Sequence, residues 1–298
     1  MRVTFSQSYR EAQSNTSAAA EALASAQRLV SSGHRINKPS DDPAGANIAI
    51  ADHAALGAMD AYTRTADSTT SRLTVADTVL SDVINKLTAA QTAAMSARGS
   101  VMSQGQRDAA ATTLQGLSEA LLGDFNAQFH GAYLFSGSKV TTAPYTSTAG
   151  TVSAYQGNTT GVSVDLGQGR TVQMSFDGNA ITQGGDPAGD IFTVMANLVT
   201  AARVGNSANI GAGLDALGRA LDRASLAQTQ VGSSFGLLDD VRASLSTQRL
   251  GVTAELSKTE DADMASAITN MTQADTAYRA ALAAFGRIGT VSLMDYLK

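Results

Sequence analysis

From Ala44 to Ala97 the chain contains no proline, and small or apolar residues recur in steps of three and four: Leu73, Ala76, Leu80, Val83, Leu87, Ala90 and Ala94. That spacing marks one face of a helix. A helix of about 50 residues is ~75 Å long. A compact globule made from 298 residues has a radius of gyration of roughly 19 Å. The tract does not fit inside such a sphere. The expectation is a mainly α chain: an elongated rod of long antiparallel helices, with a β-rich insertion where the chain turns round.

The same rhythm marks the other helices. It runs through Tyr9, Ala12, Thr16, Ala19, Leu23, Ala26 and Val30 near the start. It returns at Leu114, Leu117, Leu121 and Phe125, at Ile191, Val194, Met195, Leu198 and Val199, and from Leu214 through Leu217, Leu221, Ala224, Gln228, Val231 and Phe235 to Leu238. A last stripe holds Met264, Ile268, Met271, Asp275, Tyr278, Leu282 and Phe285. Gly218, Gly232, Gly236 and Gly251 interrupt the long second-half tract, each costing about 1 kcal/mol relative to Ala. They are read as sites of close helix approach.

Two of the four prolines stand between the first two helical tracts, in SSGHRINKPSDDPAGA (31–46). Gly33 suits the left-handed stop after a helix. Asp42 is a good N-cap, and Pro43 fits the first helical position, where its missing N–H is harmless. Pro39 and Pro43 keep the helix from running straight through. The stretch therefore reads as helix stop, bend, helix start. RGSVMSQGQ (98–106) is a second break.

From residue 131 to 186 the composition shifts to Gly, Ser, Thr and Tyr. Val162, Val164 and Leu166 alternate, as do Val172, Met174 and Phe176, with GQGR between them, which is a hairpin pattern. Asp177-Gly178 reads as another tight turn.

Composition excludes several functions. There is no Cys, so a disulfide scaffold, a thiol nucleophile and a Cys-ligated metal are all ruled out. The formal charge is −5 and no Lys/Arg cluster appears, which argues against nucleic acid as a partner. No run reaches the ~20 apolar residues of a membrane span, so no membrane insertion is expected. The opening MRVTFSQSYREAQ lacks an apolar segment behind its Arg, which argues against a cleaved secretory signal. His34, His53 and His130 are far apart in sequence without zinc-ligand spacing, and read as surface or turn residues. Asp177-Gly178-Asn179 lacks the late Glu of a calcium loop, and no Gly-x-Ser-x-Gly elbow occurs. Asp239-Asp240 reads as a solvated pair, and Asp275 as a polar residue setting helix register. No cofactor, metal or catalytic residue is expected, and the chain does not read as an enzyme. A ligand-binding role for the β insertion has no convergent polar pocket behind it.

The helices at the two ends carry one seam each, while their other faces hold Val3, Phe5, Leu29, Ile288, Val291 and Leu293. Helices of about 30 residues are marginal without packing. The ends are expected to be poorly ordered alone and to fold against copies or partners. The assembly residues this implies are Tyr9, Leu23 and Val30 at one end. At the other they are Met264, Ile268, Met271, Tyr278, Leu282, Phe285, Leu293, Tyr296 and Leu297.

SGHRIN (32–37) followed by DDPAG (41–45) resembles the N-terminal signature of the bacterial flagellin family, including its hook-filament junction branch. GAYLFSGSKVTTAPY (131–145), VSAYQGNTTGVSVDLGQGRTVQMSFDG (152–178) and the closing SLMDYLK (292–298) are similar to segments of that branch. The resemblance implies three domains. Residues 1–40 and 258–298 form an inner coiled-coil domain for assembly, 41–130 and 187–257 a helical rod, and 131–186 an outer β domain. It implies that Gly33, Arg35, Asn37, Asp41, Asp42 and Pro43 form an inter-domain joint with Glu260 and Asp261, where Arg35 and Lys38 meet the acids. It further implies a structural flagellar role, joining the hook-associated region to the filament, with a flagellin filament subunit as the alternative. The partners would be the first hook-associated protein, flagellin, copies of the same chain in a ring or tube, and an export chaperone. Export would run through the flagellar secretion system to an extracellular flagellum.

Overall fold

The computed structural model describes residues 2–99, 102–148, 150–167, 169–186 and 189–296, with backbone alone at 2–5 and 288–296. Seven helices and six short strands are described: α1 (Arg2–Ser32), α2 (Pro43–Ala97), α3 (Gln104–Phe125), β1 (Gln128–Phe129), β2 (Ala132–Tyr133), β3 (Ser147–Thr148), β4 (Thr151–Val152), β5 (Ser163–Asp165), β6 (Thr171–Gln173), α4 (Gly178–Thr182), α5 (Ile191–Val204), α6 (Ser207–Glu260) and α7 (Met264–Tyr296). The chain divides into two units, Met1–Met59 with Ser246–Lys298, and Asp60–Leu245. α2 and α6 contribute to both.

Local chemistry sets the helix ends. Gly33 takes φ 74°, the left-handed stop expected after α1. Asp42 caps α2, its carboxylate accepting from the Gly45 N–H at 3.0 Å. Ser103 and Gln106 cap α3 reciprocally through side chain and backbone. Asp190 caps α5, and Gly205 closes it.

The second unit holds the deep core. Leu73, Ala76, Leu80, Val83, Leu87, Ala90 and Ala94 of α2 are all fully buried. Leu114, Leu121 and Phe125 of α3, Met195 and Leu198 of α5, and Leu217, Ala224, Val231 and Leu238 of α6 complete it. Burying one such Leu or Val stabilises by about 1.5–3 kcal/mol. α2 and α6 run antiparallel, with Asp67 meeting Arg242 at 2.6 Å and Asp77 accepting from Gln228 at 3.2 Å. A cluster of aromatic residues lies where the helices meet the strands. Phe125 packs edge-on against Phe135, Tyr145 and Phe192, with centroids 5.8, 6.1 and 6.0 Å away.

The β region is three separate antiparallel ladders of two strands each among the described residues. In β5–β6, Val164 faces Val172, the register their alternation predicts. His130 (φ 49°) and Gly131 (φ 79°) form the two-residue turn of β1–β2. Two arginines bind this region to the helices. Arg72 of α2, only 8% exposed, donates to the Met174 carbonyl at 2.6 Å and the Tyr133 carbonyl at 3.1 Å. Arg223 of α6 donates to the carbonyls of Ile181, Thr182 and Gly189.

Two sequence expectations need correction. Asp177-Gly178 is not a hairpin turn: the Asp177 carboxylate accepts from the Asn179 N–H and caps the short helix α4. The α6 glycines do not mark close helix approach. A Cβ at Gly232, Gly236 or Gly251 would meet nothing within 4 Å, and at Gly218 only the tip of Gln91 at 3.9 Å. The glycine that does permit contact in this helix is Gly213, where a Cβ would fall 2.4 Å from a Leu198 methyl.

Candidate assembly surfaces and the helix joint

The first unit is built on α1 and α7, which pack against each other as antiparallel partners. Tyr9 lies against Phe285 with ring centroids 5.0 Å apart. At the other end the Ala262 N–H donates to the Gly33 carbonyl at 2.9 Å. Two antiparallel helices held at both ends in this way have one register. It puts Thr16 level with Tyr278, Leu23 with Met271 and Val30 with Met264.

The seam these helices form is shallow. On α1, Ala12, Thr16, Ala19, Leu23, Ala26 and Val30 are all half-buried, and none is buried. On α7, Ala267 is buried at 1%, while Met271, Ala274, Tyr278, Ala281 and Phe285 are half-buried. These α7 positions alternate by four and three, the spacing of a coiled-coil seam. One column is Ala267, Ala274 and Ala281. The other is Met271, Tyr278 and Phe285. The stripe read from the sequence was therefore partly out of phase. Met271, Tyr278 and Phe285 belong to the seam, whereas Met264 (41%), Ile268 (49%) and Leu282 (44%) are exposed. The alanine column was missed because Ile268 and Leu282 stand one position beyond Ala267 and Ala281 and outweigh them, although the seven-residue alanine repeat stands in the sequence.

The free faces also differ. Ser6, Gln7, Ser8, Arg10, Glu11, Gln13, Ser14 and Asn15 of α1 are exposed, and Tyr9 is the exposed large apolar residue on that helix among the described ones. Leu29, expected on the free face, is half-buried instead. The apolar free face belongs to α7. Asp275 is half-buried there and pairs with Arg279 at 2.9 Å, four residues on. The side chains of Val3, Phe5, Ile288, Val291, Leu293 and Tyr296, and the whole of Leu297, lie outside the described residues.

The joint residues come together as a knot. Residues 33–35 lie antiparallel to 260–262: the Arg35 N–H donates to the Glu260 carbonyl, and His34 bridges Asp261. The Asp41 carboxylate accepts from the Asn37 and Lys38 N–H groups, and the Asn37 amide donates to the His34 carbonyl. Gly45 has no Cβ, and a methyl there would fall 2.6 Å from Cδ1 of the buried Ile36. The Gly45 N–H holds the Asp42 carboxyl below its usual pKa, with Arg35 helping and partial burial opposing. At the start of α7, the Ser266 hydroxyl and N–H lower that of Asp263 in the same way.

Arg35 does not meet the acids of α6. Its guanidinium pairs with Asp42 at 3.2 Å and donates to the Thr259 carbonyl at 2.9 Å. The local capping acid is nearer than the one across the joint. The groups that reach Glu260 are histidines. His53 Nε2 lies 2.9 Å from Glu260 Oε2, and His34 Nδ1 lies 4.0 Å from Glu260 and 3.5 Å from Asp261. Histidines far apart in sequence thus converge, and no spacing rule could have paired them.

Among the described residues no cluster of His, Cys, Asp or Glu could hold a metal ion. None of their helices is long and apolar enough to cross a membrane. What the arrangement offers is surfaces for other helices.

Comparison with known proteins agrees with that reading. The family model for the bacterial flagellin N-terminal helical region matches residues 4–140, and the one for the C-terminal helical region matches 214–297. Flagellar hook-associated protein 3 of Salmonella typhimurium is 25% identical, aligned over 99% of both chains. Its Escherichia coli counterpart is 25% identical over 90% of this chain and 91% of its own. The solved flagellar junction protein FlgL of Legionella pneumophila is 14% identical with a TM-score of 0.60, over 72% of this chain and 100% of its own, a likeness of fold. With both helical regions matched at the two ends of one chain, and β3 to β6 between the two matches, this chain belongs to the bacterial flagellin family.

Proposed function

We propose that this chain is a structural component of the bacterial flagellum that joins the hook-associated region to the flagellin filament. The observation that carries the reading is the alignment with a hook-associated protein 3 over 99% of both chains. The packing of the ends supports it physically. Among the described residues the helix pair buries one side chain, Ala267, so its apolar surface there is not fully covered, and α7 still presents Met264, Ile268 and Leu282. Packed among copies in a ring or tube, that face would contact the first hook-associated protein on one side and flagellin on the other.

The role is structural and not enzymatic. Residues 1–40 and 258–298 act as the assembly domain, 41–130 and 187–257 as the rod, and 131–186 as the outer domain. Gly33, Arg35, Asn37, Asp41, Asp42, Pro43, Glu260 and Asp261 set the angle at the joint. Before assembly the α7 stripe is an aggregation hazard, which an export chaperone would cover while the chain leaves through the flagellar secretion channel. The test is deletion in the source bacterium combined with polymerisation of the purified chain. The junction role predicts hooks without filaments, and a chain that forms no long filaments alone. Long filaments from the pure chain would show a filament subunit instead.

A further inference from the structure

One section of α2 is a poor helix by its own chemistry. Residues 63–74 read TRTADSTTSRLT, seven of the twelve being Ser or Thr. Both rank below Ala as helix formers, and their hydroxyls compete for the carbonyls the helix needs. Here Thr65, Thr69, Thr70, Ser71 and Thr74 each donate to the carbonyl four residues back, at 2.8–3.0 Å. The following section, 79–90, reads VLSDVINKLTAA, with one Ser and one Thr. Its buried residues are Leu80, Val83, Leu87 and Ala90, against Ala66, Thr69, Arg72 and Leu73 in 63–74. The weaker section has one large apolar anchor where the other has three.

Residues 63–74 are nevertheless helical throughout. Asp67 ties the section to Arg242 of α6 at 2.6 Å. The β5–β6 hairpin meets this part of α2 at three further points. Gly167, at φ 88°, lies against the Tyr62 ring, where a Cβ would fall 2.9 Å from Cε2. The Thr69 hydroxyl is 3.7 Å from the Met174 sulfur, and Arg72 Nε donates to the Met174 carbonyl at 2.6 Å. From Tyr62 to Arg72 the helix rises ~15 Å. The hairpin therefore follows α2 over about three turns, with its own Leu166 and Val172 buried.

We propose that the β5–β6 hairpin is a strap that splints this section, and that α2 yields between residues 63 and 74 when the strap is lifted. A stretch kept helical by packing rather than by propensity takes its stability from what lies on it. Strap and stretch belong to the same unit. The stiffness of α2 is in this way set from the β region: displacing the hairpin loosens the helix over 63–74 and leaves 79–90 as it was. The device is read from local packing and stands apart from the flagellar reading, so its test and the test of that reading fail separately.

Hydrogen exchange of the full-length chain, resolved over the amides of 66–74 and 80–90, tests the strap. Tyr62→Ala removes the ring beneath Gly167 while raising helix propensity at its own position. Gly167→Val places a side chain where the ring lies. Each should speed exchange over 66–74 about five- to thirtyfold, the change in an opening equilibrium that a few lost contacts bring. Exchange over 80–90 should stay at the wild-type rate. Adding Ser68→Ala, Ser71→Ala and Thr74→Ala, all at exposed positions, should restore protection over 66–74. That local rescue separates a splinted weak helix from a general loss of stability. Wild-type exchange over 66–74 in both variants would overturn the strap. So would an equal rise over 80–90, or alanine substitutions that restore nothing.

Discussion

Arg72 and Arg223 each fill a place that no apolar residue of similar size could fill, because each donates to two or more backbone carbonyls of the segment between α3 and α5. Replacing Arg72 with Met should cost about 3 kcal/mol, since charge-assisted bonds are lost and acceptors are left unpaired. Urea unfolding followed by circular dichroism measures it. Ser103→Ala should cost about 1 kcal/mol through the lost capping box. Asp42 and Asp263 behave differently because their contribution depends on charge. Their folded pKa values lie below the unfolded carboxylate value of about 3.9. Their stabilisation is therefore present above about pH 4 and is lost as pH falls through the folded values. The Asp42→Asn/Asp263→Asn variant should be less stable than wild type at neutral pH, with the gap closing in acid. A gap independent of pH would show that the charge is irrelevant. At this scale Gly33, Asp42 and Pro43 were legible because capping rules act over a few neighbours. The partners of His34 and His53 were not, because segments more than 200 residues away decide them.

Among the elements, α2 and the α1–α7 pair represent opposite cases. The α2 stripe was readable residue by residue, since Leu73, Leu80, Val83 and Leu87 set its phase and the alanines between and after them share the same buried face. In α7 the phase was misread because the exposed Ile268 and Leu282 stand next to the seam alanines Ala267 and Ala281 and outweigh them. A seam of half-buried residues gives little protection. Hydrogen exchange in the free chain should therefore be faster over 6–32 and 264–287 than over the buried parts of α2 and α6. Equal protection in both places would refute the unfinished seam. The glycines of α6 permit a complementary prediction. Gly232 and Gly236 are exposed, in helical geometry, with room for a methyl. Gly232→Ala and Gly236→Ala should each stabilise by about 0.5–1 kcal/mol, measured by thermal unfolding. Destabilisation would mean that α6 is not helical there in solution.

At the level of the whole molecule, the order of helices and the place of the insertion were legible from proline scarcity, breaks and a change in composition. The insertion's inner structure was only partly so. The β5–β6 register followed from alternation, but two-residue ladders and a five-residue helix leave little periodicity to read. The unit formed by residues 60–245 has a core of its own. Removing residues 264–298 should therefore leave most of its helicity and cooperative unfolding intact while abolishing incorporation into flagella. Wild-type incorporation of the truncated chain would sink the role given to α7. The account rests finally on where the protein sits in the assembled organelle, and immunogold labelling of intact flagella measures that directly. A single band at the base of the filament, next to the hook, is the predicted result. Label distributed along the filament would contradict the account.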